Sequence, residues 1–175
     1  MRKLSMPELD RKTVQDFRQS PKTPVVILLD NVRSMHNVGS VFRTADAFLL
    51  QEVVLCGYTP QPPHRDIQKT ALGATETVKW RHLPSTVEAI QLLRQEGLSV
   101  WAVEQTSSST PLQQVQPLLN YPVALVFGNE LTGVDSAVLE YCQGSIEIPQ
   151  FGMKHSFNIS VAAGIVLWEI IRSRI

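Results

Sequence analysis

Short apolar runs alternate with stretches of helical spacing along the whole chain, a pattern that predicts an α/β fold with a parallel sheet. The run 24–30, PVVILLD, is rich in branched residues and reads as a buried strand. Behind it Val38, Val41, Phe42, Ala45, Phe48 and Leu49 recur at helical spacing, with Asn37 as the expected cap. Further strands are predicted at 52–56, 77–83, 98–104, 122–128 and 145–149. An amphipathic helix over 85–97 stops at Gly97, and a shorter helix lies near 135–142. A Pro-rich turn at 59–64 and a short basic segment at 64–74 separate the second strand from the third. The final helix, from about Asn158 to Arg172, is apolar on nearly every face through Ile159, Val161, Ile165, Val166, Trp168, Ile170 and Ile171. Such a helix needs cover on all sides, and at the end of a small domain this predicts a homodimer.

Composition narrows the class. With 175 residues, 43% of them hydrophobic, the chain has the makeup of one globular domain. Cys56 and Cys142 form no CxxC pair and are too few for a disulfide framework, which favours a reducing, cytoplasmic setting. No apolar run reaches the length of a bilayer span, and the first residues lack the apolar core of a signal peptide, so neither a membrane nor a secretory role is expected. The 16 basic residues balance 16 acidic ones, yet they are segregated along the chain. Residues 1–83 carry a balance of +4, residues 84–147 a balance of −6, and residues 148–175 a balance of +2. A nucleic-acid surface built from the first half and the last stretch fits these counts, as does ordinary uneven scatter of surface charge.

Three polar clusters sit where strands end and helices begin, the places where parallel sheets bind ligands. In the first, 30–48, Asn31, Asn37, Gly39 and Arg43 follow the first strand. Gly39 permits close backbone approach, and Arg43, among Phe42, Ala45 and Ala47, is expected to be a partly buried, held guanidinium. In the second, 125–135, GNELTG has the GxxxxG spacing of a phosphate loop. It continues with Val134 and Asp135 instead of Lys and Ser/Thr, so no triphosphate site is expected. Glu130, between two glycines, suits a ligand carrying a cation or hydroxyls. In the third, 146–164, Pro149 and Gly152 shape a loop that carries Lys154 and His155, and Ser156 and Asn158 are placed to cap the final helix. His36, His64, His82 and His155 show no ligand spacing, and no metal is expected.

Together NVRSMHNVGSVFRTADA, FGNELTGV and IPQFGMKHSFNISVAAG resemble, in order, the three motifs of the SpoU-type (TrmH-like) RNA 2′-O-ribose methyltransferases of the SPOUT superfamily, over essentially all of residues 25–172. The resemblance implies a parallel-sheet α/β domain, 25–175, whose C-terminal part is tied in a deep trefoil knot, preceded by a basic arm, 1–24. It implies S-adenosylmethionine as methyl donor, held by Gly128, Ile148 and Phe157 largely through backbone groups, with the segment 104–110 as a further wall. Asn37, Arg43, Glu130, Ser156 and Asn158 match the family's functional polar set. Ser156 and Asn158 are implied to orient the ribose or phosphate, Asn37 to hold the Arg43 loop and Glu130 to position a neighbouring group. Arg43 is implied to act on the 2′-hydroxyl; a guanidinium stays protonated, so it is expected to stabilise the developing alkoxide and clamp the adjacent phosphate. Phe157 stands where the family commonly has Leu, and Gln150 where an apolar residue is usual.

The expected partner is RNA, tRNA in preference to rRNA, with no DNA. Arg65, Lys69, Lys79 and Arg81, alongside Arg2, Lys3, Arg11, Lys12 and Lys154, are the candidates for backbone contact, against the alternative of a solvated basic face. Two other readings belong to different classes: a non-catalytic RNA- or S-adenosylmethionine-binding protein, and a small-molecule methyltransferase on the same knotted scaffold.

Overall fold

Residues of the first strand, β1 (Thr23–Asp30), are buried on both faces in the computed structural model, which describes residues 1–5 and 7–172. Val25, Ile27 and Leu29 enter one core while Val26 and Leu28 enter another, the period-two consequence of a sheet covered on both sides. On one flank β1 pairs with β2 (Leu50–Cys56), which pairs with β3 (Trp80–Leu83). On the other flank lie β6 (Val123–Phe127), β4 (Ser99–Val103), β7 (Gly144–Glu147) and the two-residue β5 (Thr110–Pro111). All pairs are parallel, and the seven-stranded order is β3-β2-β1-β6-β4-β7-β5. The six predicted strands are present; β5 has too few residues to show a period.

The helices divide between the two faces. One core takes Phe17 of α1 (Val14–Gln19), Phe42 of α2 (Met35–Ala47), Ile67 of α3 (Arg65–Ala71), Ala74 of α4 (Ala74–Thr77) and Val166 of α7 (Ile159–Ile171). The other takes Ile90 of α5 (Thr86–Gln95) and Val138 of α6 (Ser136–Leu139). Because α2 leaves β1 and α6 leaves β6 for opposite faces, the carboxyl ends of β1, β6 and β4 border a crevice.

The basic segment 64–74, for which the spacing predicts no element, forms α3 over Arg65–Ala71: the His64 side chain accepts from the Asp66 amide, and Ile67 and Ala71 are buried. One expectation is corrected. The cap of α2 is Ser34, whose hydroxyl accepts from the Asn37 amide, so Asn37 lies inside the helix with its side chain free for other contacts. The close backbone approach expected at Gly39 is made by α3: a Cβ there would stand 2.1 Å from Thr70 Oγ1 and 2.2 Å from the Ile67 carbonyl. As expected, Gly97 follows α5 in a left-handed conformation (φ +89°).

The arm is docked through Phe17 and through Arg18, which donates to the Glu76 carbonyl, and the boundary placed after residue 24 falls inside β1. Met6 of the arm and residues 173–175 of the predicted domain lie outside the described residues. Helix α7 is embedded on one side and bare on the other. Ile159, Ala163, Val166, Leu167 and Ile170 are buried, whereas Val161, Ile165 and Trp168 are 49%, 36% and 55% exposed along one stripe.

Gly39→Ala is expected to lower stability by about 1–3 kcal/mol, because α2 and α3 must part to admit the methyl group. Denaturant unfolding measures this, and an unchanged midpoint would mean that the contact has slack.

Candidate functional site

Glu130 sits across the start of α2. Its carboxylate accepts from the backbone amides of Arg33 (2.9 Å) and Ser34 (3.0 Å) and from Asn37 Nδ2 (2.9 Å). A helix start presents unpaired amides and positive potential, which a carboxylate satisfies. Asn37 is buried, and its Oδ1 accepts from Asn158 Nδ2 at 3.0 Å. Asn158 in turn caps α7, its Oδ1 accepting from the Ser160 amide (3.0 Å) and hydroxyl (2.7 Å). One side-chain chain, Glu130–Asn37–Asn158, therefore joins the three polar clusters. Partial burial opposes ionisation of Glu130, but donation from Arg33, Asn37 and Ser34 outweighs it and holds the carboxyl below its ordinary 4.5.

The loop after β6 is a tight hairpin. Asn129 and Gly133 exchange two backbone hydrogen bonds of 2.9 Å, and Asn129 Oδ1 accepts from the Leu131 amide at 2.8 Å. Gly128 is required by the chain itself, since a Cβ would lie 2.1 Å from both Gly133 C and Val134 N. Glu104, at the end of β4, braces this hairpin: Oε2 accepts from the Val134 amide and Oε1 from the Gln105 amide, both at 2.9 Å. Spacing did not single out Glu104; its one signal was an acid at the carboxyl end of a predicted strand.

A cleft of about 550 Å³ opens between these loops. It brings together Gly128, Ile148 and Phe157 with Glu130, Ser156 and Asn158, and Glu104 and Gln105 form a further wall. Gln105 Nε2 donates to the His155 carbonyl at 3.3 Å, tying that wall to the third cluster. Asn37 lies outside the lining, behind Glu130 and Asn158. Ser156 is exposed and makes no capping bond, since Asn158 alone caps α7.

Arg43 differs from expectation. It is exposed and has no hydrogen bond or ion pair among the described residues, because positions 36, 40, 43 and 47 share the outer face of α2. The other cations divide into spent and free. Lys69 pairs with Asp66 (2.6 Å), Arg81 with Glu96 (3.0 Å) and the buried Glu52 (3.3 Å), Lys79 with Glu52 (3.5 Å) and Arg2 with Glu8 (2.6 Å). Arg33, Arg43 and Arg65 have no acidic partner among the described residues. Burial pushes the Cys56 thiol up to about 12 and the Cys142 thiol up to about 11, which removes both as nucleophiles at neutral pH. Among the described residues no group of His, Cys, Asp and Glu is arranged to hold a metal ion, and no helix is long and apolar enough to cross a membrane.

Comparison with known proteins places this geometry. The model of the SpoU rRNA methylase family matches residues 24–168. The chain is 30% identical over 168 residues to the 23S rRNA guanosine-2′-O-methyltransferase of Vibrio parahaemolyticus, covering 96% of this chain and 67% of that one. It is also 30% identical over 168 residues to the tRNA guanosine(18)-2′-O-methyltransferase of Thermus thermophilus, covering 96% and 84%. Among solved structures, the A. aeolicus TrmH/SpoU tRNA modifying enzyme matches with a TM-score of 0.81 at 26% identity, covering 92% of this chain and 80% of that one. The AdoMet-bound rRNA methyltransferase from Sinorhizobium meliloti matches with a TM-score of 0.81 at 27% identity, covering 91% and 60%.

The lowered Glu130 value sets a pH dependence. A carboxyl whose folded pKa lies below its unfolded value adds stability above the unfolded value, and that contribution disappears as pH falls through the folded one. The stability advantage of the parent over Glu130→Gln is therefore expected to be present at about pH 7 and to shrink below about pH 4. Denaturant midpoints across that range measure it, and an advantage independent of pH would show that the charge contributes nothing.

Proposed function

Because the chain belongs to the SpoU rRNA methylase family, we propose that it transfers the methyl group of S-adenosylmethionine to a ribose 2′-hydroxyl of RNA. The observation that carries this reading is the Glu130–Asn37–Asn158 chain, which locks a cleft at the carboxyl end of the sheet to a helix whose outer face carries the unpaired Arg43.

The cleft suits the donor. Its volume of about 550 Å³ is in the usual range for a small-ligand site. The hairpin offers exposed backbone groups beside Gly128, Ile148 and Phe157 contribute apolar wall, and Glu104 and Glu130 favour a cation. When bound, S-adenosylmethionine supplies an electrophilic methyl on a positively charged sulfur. Ser156 and Asn158, at the cleft edge, orient the acceptor ribose or its phosphate. Asn37 and Glu130 act behind them, fixing the start of α2. Arg43, outside the cleft and unpaired, meets the substrate and not the donor: it clamps a backbone phosphate and offsets charge developing on the 2′-oxygen. Arg33 and Arg65 extend that contact, in preference to Lys69, Lys79 and Arg81, whose charge is already balanced.

Three finer features belong to the same proposal. The first is the trefoil knot. The segment between β4 and β6 packs Leu112, Val115 and Leu119 into the core that holds α7, its Gln116 donates to the Glu169 carbonyl, and β5 lies outside β7. A chain leaving β7 for α7 then passes inside that segment. The second is a homodimer, supported by the stripe of Val161, Ile165 and Trp168. The third is tRNA as substrate, in line with the tRNA-modifying relative and the A. aeolicus tRNA modifying enzyme. The arm ahead of β1 and the catalytic domain that this strand opens act in the cytoplasm, where Cys56 and Cys142 stay reduced.

Transfer of labelled methyl from S-adenosylmethionine to unmodified tRNA and rRNA transcripts tests the reaction. Label is expected as an alkali-resistant 2′-O-methyl group, and Arg43→Ala is expected to lower the rate by about 100-fold or more with donor affinity intact. A protein that binds the donor but labels neither RNA would overturn the enzyme reading. Trp168→Lys is expected to turn the dimer into a monomer in sedimentation, whereas a parent that sediments as a monomer would remove the dimer.

A further inference from the structure

Tyr58 stands outside the cleft lining and one hydrogen bond from it. We propose that its ring is a stacking platform for an RNA base adjacent to the methylated nucleotide, an inference that rests on the RNA methyl-transfer reading. The residue is 62% exposed, yet it is fixed from behind at every point. Its amide donates to Asn31 Oδ1 at 3.2 Å. The preceding Gly57 turns with φ +61° against that same oxygen, 2.0 Å from where a Cβ would be. The following Thr59, buried, donates to the Leu29 carbonyl and accepts from the Val32 amide, both at 3.0 Å. At the tip of the ring, the phenol oxygen accepts from Asn129 Nδ2 at 2.8 Å. Asn129 is the buried amide that also donates to the Asn31 carbonyl at 2.7 Å and belongs to the hairpin lining the cleft.

The placement is that of a recognition surface. An aromatic ring already held at backbone and tip loses little freedom on binding, so its contact area goes into affinity. Single-stranded RNA is commonly bound by stacking bases on aromatic rings, a contact that tolerates any base. Other exposed aromatic rings have other settings: Trp168 lies in the α7 stripe, and Phe151 and Phe157 lie on the loop of the third cluster. Tyr58 is bonded to both the first and second clusters. Arg33, exposed and without an acidic partner, follows two residues after Asn31, and Arg65 follows the Pro-rich turn that begins after Tyr58. Asn129, to which the ring is bonded, is itself cleft wall, so the ring lies within a nucleotide's reach of a ribose seated there.

The test uses the full chain and unmodified tRNA and rRNA transcripts, with heparin as a polyanion lacking bases. Tyr58→Ala is expected to weaken RNA binding about tenfold, with the salt slope, heparin affinity and S-adenosylmethionine affinity unchanged. Tyr58→Trp and Tyr58→Phe keep the ring and are expected to stay within about threefold of the parent on the same stacking ground. A Tyr58→Ala variant that binds and is active on RNA like the parent overturns the platform. So does a Tyr58→Phe variant as weak as Tyr58→Ala, since the hydroxyl brace would then be what matters. A parent that neither binds RNA better than heparin nor methylates it removes the function reading, and this inference with it.

Discussion

Everything at this site depends on the orientation of one buried amide. Asn37 donates to Glu130 and accepts from Asn158, and an amide serving two such partners is fixed in its flip. Glu130 stands at the start of α2 and Asn158 at the start of α7, so the amide couples the first turns of two helices on the same face of the sheet. Glu130 and Asn158 are cleft wall, while α2 carries Arg43 on its outer side. The cleft and Arg43 therefore have one common support. A shift of either helix would leave a buried donor or acceptor unpaired, which is costly enough to keep the arrangement closed.

The same network shows which parts of the molecule were legible in the sequence. Strand positions were, because a run such as 24–30 is short, continuous in apolar residues and rich in branched ones, which together favour a strand buried on both faces. The polar clusters were, as groups, because they follow strand ends. Individual roles were not. Ser34 and Asn37 are both good caps, and the choice between them turns on Asn37 having partners 93 and 121 residues away, which no spacing rule contains. Gly39 was legible as a point of close approach, but that α3 is what approaches it was not. Glu104 had no motif, since it acts on the amides of Val134 and Gln105 and not on a recognisable pattern. Arg43 was legible in position but misread in burial, although its register with positions 36, 40 and 47 already placed it on the outer stripe of α2.

Charge segregation also takes on a different meaning in the fold. Much of the acidic excess of residues 84–147 is engaged within the chain. Glu96 balances Arg81, Glu104 braces the hairpin, Glu130 satisfies α2, Asp135 accepts from the Ala137 amide that opens α6, and Glu147 accepts from the Ser109 hydroxyl. These carboxylates are used as fixed acceptors for backbone and side-chain donors. The cations of the first half are treated differently: several pair with acids, while Arg33, Arg43 and Arg65 remain unpaired among the described residues. A chain of zero net charge can in this way keep a few free cations, because several of its acids are bonded to donors of the chain itself and those bases are not.

Helix α7 explains why its own sequence lacks a polar side. Its buried side, with Ala163, Val166 and Ile170, fills the core; its first turn, through Ile159 and Ala162, lines the cleft; and Val161, Ile165 and Trp168 form the bare stripe. An ordinary surface helix reserves its third face for water, and the moment between faces follows from that. Here core, cleft and proposed partner divide the circumference, and each asks for apolar side chains. The polar requirement is met instead at the end of the helix, where Asn158 caps the first turn and reaches Asn37 with the same side chain. The helix that closes the core thus also carries the lock of the site, and a partner seated on its bare stripe would lie within a helical turn of the cleft edge.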